Sequence, residues 1–200
     1  MAYSDFTMAT IRQRLGLTVS EGTDLFADVP EVDLPAGLGN TLARYLPLAL
    51  NLNTEKARSE LLIAPLLVEL KLSHPDRLSL FSGIEFSVDP ALGLNRRCDY
   101  ILCRSPQQLA LTAPACVLVE AKSENIVGGV PQCLAEMAAA QRFNAAEGTT
   151  GVVYGAVTTG VLWRFLRLDG TQAWVDRVEY PIQSPRRVFG ILSHIALGGN

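Results

Sequence analysis

Histidine is scarce in this chain: only His74 and His194 occur in 200 residues. That argues against a histidine-rich metal centre and leaves a serine-histidine-aspartate arrangement with little support. Charge is also thin, at 18% of residues, and 17 basic against 20 acidic side chains leave a net charge of −3. With no basic tail and no Lys/Arg block, a general affinity for polyanions is not written in the totals, so only a local patch would supply one. The four cysteines, Cys98, Cys103, Cys116 and Cys133, form no CxxC pair and match no zinc spacing. Three of them sit in or beside apolar runs, as reduced thiols in a cytoplasmic protein do. The stretch Met1–Phe6 lacks the basic and apolar parts of a secretory signal. No apolar run is long enough to span a bilayer, so no membrane partner is expected.

What is present is core material. Apolar residues make up 48% of the chain, enough for one domain with a substantial interior. Residues 1–52 read as an N-terminal helical extension and connecting segment, and 53–200 as the main domain of one compact unit. Ser4 is placed to cap a short helix through Leu15, stopped at Gly16. Ser20 to Gly39, with its prolines and glycines, reads as a surface connection. Leu42 to Leu50 is helix-compatible apart from Pro47. A longer helix follows from Asn53 or Thr54, and Pro65 should kink it. Ser79–Asp89, with a possible bulge at Gly83, and Cys98–Cys103 read as strands.

The next stretch is Cys116-Val117-Leu118-Val119-Glu120-Ala121-Lys122-Ser123. It reads as a buried strand that ends in an acid and a lysine. Strand side chains alternate, so Glu120 and Lys122 share a face. Taken alone, it fits equally well a strand emerging into solvent. A helix from Gln132 to about Ala146 follows, led in by Gly128, Gly129 and Pro131. Val152–Val157 is continuously apolar, and its place after a helix implies a strand parallel to the preceding one. Val161–Leu168 and Thr171–Tyr180 form a hairpin pattern across Asp169-Gly170. Arg186–Leu197 is a last helix. The sum is an α/β chain with a mixed sheet.

This order brings chosen charges together. Asp99 begins one strand, and Glu120 and Lys122 end its antiparallel neighbour. Glu60 projects from the edge of the earlier helix's buried stripe, whereas Glu55 is explained as a helix-start acid. Gln132 opens the following helix. Clustered carboxylates need a proton or a cation, and oxygen-only ligands select Mg²⁺ or Mn²⁺. A lysine beside such an ion suits phosphodiester hydrolysis.

An acid on a first helix, then Asp99, Glu120-Ala121-Lys122 and a Gln-bearing helix, resembles the PD-(D/E)XK nuclease superfamily. Thr54–Glu60 with Ile63–Leu67 is also similar to the helix opening the nuclease domain of type I restriction-enzyme motor subunits. The resemblance implies a restriction-endonuclease-like αβββαβ core, a central mixed sheet flanked by helices, plus a C-terminal β-hairpin and helix. It implies that Asp99 and Glu120 bind Mg²⁺ or Mn²⁺ with the Ala121 carbonyl. Glu60 would reach the ion through water, with Glu55 the alternative helix acid. Lys122 would serve the attacking water and the phosphate, and Gln132 would support the lysine or contact the DNA backbone. DNA would be the partner, with a homodimer serving two strands. Two positions depart from the pattern: Cys98, not proline, precedes Asp99, and Glu136 replaces the aromatic four residues after Gln132. The competing reading is a catalytically silent module on the same fold that binds nucleic acid or a protein.

Overall fold

The computed structural model describes residues 1–199. After a short 3-10 turn at Tyr3–Asp5 come helix α1 (Met8–Leu15), strand β1 (Thr18–Glu21) and helix α2 (Leu38–Leu52). Helix α3 (Glu55–Arg58) runs through a π turn at Ser59–Ile63 into α4 (Ala64–Ser73). Then follow β2 (Ser79–Glu85), β3 (Arg97–Cys103), β4 (Ala115–Ala121), α5 (Ile126–Ala146) and β5 (Val153–Thr158). The chain ends with β6 (Leu162–Asp169), β7 (Gln172–Val175), β8 (Tyr180–Pro181) and α6 (Pro185–Leu197). The fold is α/β, built on an open mixed sheet of eight strands in the order β1-β7-β6-β5-β4-β3-β2, with β8 on β6.

The sheet's centre follows from apolar content. All seven residues of β4 and all six of β5 are buried. Such strands need a helical layer on each face. Val117, Val119 and Ala121 pack into one layer with residues of α2, α4 and α6. Leu118 packs into the other, with α1 and α5. The expected meander is present, since β2–β3 and β3–β4 pair antiparallel, and β5 lies parallel to β4.

Several local expectations shift. The first helix is capped by Thr7, whose hydroxyl accepts from the Thr10 amide, so Ser4 falls instead in the preceding 3-10 turn. The stretch before residue 53 also supplies a strand to the sheet: Thr18–Glu21 pairs parallel with Gln172–Val175 as an edge strand. The connection after it is pinned where its backbone donors and acceptors find side chains. Asp176, 1% exposed, accepts from the Leu25 amide, and Arg187 donates to the Phe26 and Val29 carbonyls.

Pro65 produces no simple kink. A proline nitrogen cannot donate to the carbonyl four residues back. The helix widens just before it, and the Ala64 amide reaches back to the Ser59 carbonyl. Helix α5 begins six residues earlier than the glycines suggested, capped by Asn125, whose side chain accepts from the Gly128 amide. Pro131 therefore lies inside it. Gly83 is not an inserted bulge residue, because Ser82↔Tyr100 and Ile84↔Cys98 keep one register on either side of it. Its φ of 60° breaks the ladder opposite Asp99 without adding a residue.

Asn144 on α5 holds the start of β4. Its amide accepts from the Ala115 N–H at 2.8 Å and donates to the Ala115 carbonyl at 2.9 Å. This lies where the β3–β4 register shifts. The side chain is 5% exposed, so water cannot readily replace it. Asn144→Ala should cost about 2 kcal/mol by leaving two buried backbone groups unpaired. Denaturant unfolding measures this, and an unchanged midpoint would refute the bracket.

Candidate active site at the ends of β3 and β4

The antiparallel ladder between β3 and β4 closes at Tyr100↔Val119. Beyond it the two strands are joined through a side chain: the Ala121 amide donates to Asp99 Oδ2 at 2.8 Å. On its other side β4 stays paired with β5, and the Lys122 amide donates to the Thr158 carbonyl at 2.8 Å. The backbone carrying Glu120, Ala121 and Lys122 is thus held from both sides.

Glu120 is 3% exposed and ion-paired with Lys122, whose Nζ is 2.6 Å from Oε1. Lys122 Nζ also donates to Gln132 Oε1 at 3.0 Å. Gln132 Nε2 donates to Glu136 Oε1 at 3.1 Å. Glu136 has no exposed surface. It adjoins Glu120, and the Oε2 atoms of both carboxyls lack any conventional donor. The result is a chain of four side chains leading from the strand end into the helix layer.

Burial, then the Asp99 charge, pushes the Glu120 carboxyl up to about 7, although Lys122 pulls it back. Burial, then Glu120, holds Glu136 well above the usual carboxylate range. Burial thus favours the protonated form of both carboxyls, and more so for Glu136, which has no exposed surface. Burial draws the Lys122 ammonium down, but Glu120 beside it outweighs this and leaves it raised. Lys122 is accordingly a cation here.

Asp99 and Ala121 also line an open cleft of about 280 Å³ with Ser59, Glu60, Ser82 and Gly83. The π turn ahead of Pro65 carries Ser59 and Glu60 to this cleft. The Tyr100 hydroxyl secures that turn, 2.7 Å from Ser59 Oγ. Glu60 itself is 61% exposed and paired with Lys56 at 2.8 Å. Glu55 lines the same cleft, in the first turn of α3.

The structure thus brings Asp99, Glu120, Lys122 and Gln132 together and leaves Glu60 on the cleft's outer lip. Asp99 and Glu120 repel, their available atoms are oxygens, and one buried Glu120 oxygen is orphaned. This donor set, with the Ala121 carbonyl, fits Mg²⁺ or Mn²⁺, which take one or two carboxylates and keep several waters. Among the described residues no three His, Cys, Asp or Glu side chains stand close enough to hold one ion.

Two contributors escaped sequence reasoning. Glu136 registered only as a missing aromatic, although an acid among Ala135, Met137 and Ala138 at four residues from Gln132 was a readable signal. Gly129 registered only as a lead-in. A Cβ there would come within 2.6 Å of Val157 Cγ1 and 3.0 Å of Lys122 Cγ. The arginines divide as well. Arg96 and Arg97 are exposed beside Asp99, whereas Arg104 donates to the Ala196 and Ile195 carbonyls at the end of α6. Trp163 is fully buried, and Trp174 sits under the Arg167 guanidinium, so neither offers a base-stacking platform.

Both raised carboxyls bind protons more tightly folded than unfolded. Their contribution is most favourable near or below the ordinary carboxyl pKa of 4.5; that of Glu120 is lost as pH rises through about 7, and that of Glu136 falls in the same direction. In chelator, the melting temperature should drop by roughly 5 °C between pH 5 and 8. Glu136→Gln, which has no proton to lose, should flatten that slope; a melting temperature that climbs over this range in the parent protein would contradict the assignment. Neither a protein-family model nor a curated protein matches this chain.

Proposed function

We propose that this chain is a Mg²⁺- or Mn²⁺-dependent deoxyribonuclease with a restriction-endonuclease-like core. The observation that carries the reading is the Lys122 ammonium held 2.6 Å from Glu120, on a strand end tied to the Asp99 carboxylate. An acid-bearing helix, the β2-β3-β4 meander, α5 and the parallel β5 supply the matching αβββαβ order.

Asp99, Glu120 and the Ala121 carbonyl would hold the ion, with Glu60 reaching it through water. The ion, when bound, supplies Lewis acidity to the scissile phosphate and acidifies a water. Lys122, as an ammonium, is a hydrogen-bond donor rather than a base. It orients the attacking water and neutralises charge developing on the phosphate oxygens. Gln132 Oε1 accepts a hydrogen bond from it and so fixes its direction. Lys56 on the cleft's lip and Arg96 and Arg97 beside Asp99 would meet DNA phosphates. Two copies of the chain would serve the two strands of a duplex.

A second reading has one observation in its favour. Glu120 Oε1 is already occupied by the Lys122 ammonium at 2.6 Å, as in a module that binds a partner without cutting. Plasmid cleavage and Mn²⁺ calorimetry separate the two. The nuclease reading expects Mn²⁺ heat that Asp99→Ala removes, and cleavage that Lys122→Ala lowers at least about 100-fold without abolishing that heat. A purified protein that neither cuts DNA nor binds Mn²⁺ leaves the silent module standing. Equal cutting by wild type and Lys122→Ala removes the lysine from the mechanism.

A further inference from the structure

Lys122 lies along one face of α5. Its stem crosses Gly129, where an added Cβ would stand 3.0 Å from Cγ and 3.1 Å from Cε. Its ammonium meets Gln132 at 3.0 Å, and Gln132 meets Glu136 at 3.1 Å. Residues 129, 132 and 136 are spaced by three and four, so they stack on one helix face.

An amide presents an acceptor at one end and donors at the other, whereas an ammonium has only donors. Lys122 therefore requires the oxygen end of Gln132. Turning that end toward the lysine sends the NH₂ group into the helix layer, where it needs an acceptor. Glu136 Oε1 supplies it. Turned the other way, the amide would set N–H groups against the ammonium and its oxygen against Glu136 Oε1, losing both bonds.

A carboxyl buried this deeply is costly, and an apolar residue would pack more cheaply in the same place. Its remaining oxygen is orphaned beside Glu120, whose Oε2 is orphaned as well. Simple packing explains none of this.

We propose that Glu136 is a positioning residue: it holds the Gln132 amide so that its oxygen faces Lys122, and thereby sets where the ammonium points. Its catalytic meaning rests on the nuclease reading; its geometric content does not. The departure from an aromatic at this position becomes a substitute bracket for the glutamine.

The chain has three lysines, Lys56, Lys71 and Lys122, so ¹³Cε-lysine labelling yields three assignable signals. Wild type, Glu136→Gln, Glu136→Met and Gln132→Met are compared, with melting curves to confirm folding. Glu136→Gln keeps an oxygen acceptor and should leave the Lys122 signal near its wild-type position. Glu136→Met should move it to where Gln132→Met moves it, and the Gln132→Met/Glu136→Met pair should move it no further. In DNA cleavage, Glu136→Met should lower kcat about tenfold or more with KM little changed, and Glu136→Gln should restore it. If Glu136→Met does not fold, Glu136→Ala takes its place.

The proposal is overturned if Gln132→Met shifts the Lys122 signal while Glu136→Met does not, or if both Glu136 variants shift it alike. Absence of cleavage by the wild-type protein defeats the nuclease reading alone, because the lysine signals still report on Glu136.

Discussion

A lysine and a glutamate are ion-paired at a strand end that is almost dry, and the local structure is arranged to make that tolerable. Glu120 is 3% exposed, and burying an unpaired carboxylate there would cost several kcal/mol. Lys122 offsets that cost at 2.6 Å. The pair then imposes its own demands. The lysine stem needs room over α5, which Gly129 leaves. The remaining ammonium protons need acceptors, one of which is Gln132. Gln132 in turn needs Glu136. The rigid parts of the fold, the parallel β4–β5 pair and the close packing of α5, keep these groups in register.

The same arrangement separates two environments only a few residues apart. Toward α5 the network is dry, which raises both glutamates, while Glu120 outweighs the pull of burial on the lysine and keeps it raised. Toward α3 the cleft is open, with Asp99 at its inner end and Glu60 at its lip. A cation bound at Asp99 and Glu120 would sit on the boundary. It would add a second positive charge beside the Lys122 ammonium that already faces Glu120. Because burial favours the protonated form of Glu120, such an ion would compete with a proton for that carboxylate.

Much of the fold was legible in the sequence because its signals are periodic and local. The apolar run of β4 and β5 announced strands buried on both faces, and the intervening helical stretch announced a parallel crossover. Gly16 stopped α1, and the hairpin turns at Gly170-Thr171, one residue past the expected Asp169-Gly170. Helix boundaries were less legible. Proline and glycine near Gly129 and Pro131 read as breakers, yet tertiary packing and the Asn125 cap carry α5 through them. The edge strand Thr18–Glu21 was invisible, because four residues without a strong apolar pattern become a strand only when β7 offers them a partner. The π turn was read as a kink because a missing amide can be accommodated either way, and the neighbouring Tyr100 hydroxyl favours the wider turn.

By itself the sequence determined which chemistry is available: carboxylates, one lysine and one amide in a fixed order, with almost no histidine and no thiol pair to compete. It also determined that Glu120 and Lys122 share a face, since strand alternation leaves no choice. Only the tertiary structure decided how those groups are used. Whether Glu136 reaches Glu120, and whether Glu60 turns inward or sits on the cleft's lip, depends on helix rotation and depth relative to the sheet. Those are set by contacts between residues far apart in the chain: Gly129 against Val157, Tyr100 against Ser59, and the Asp99 carboxylate against the Ala121 amide.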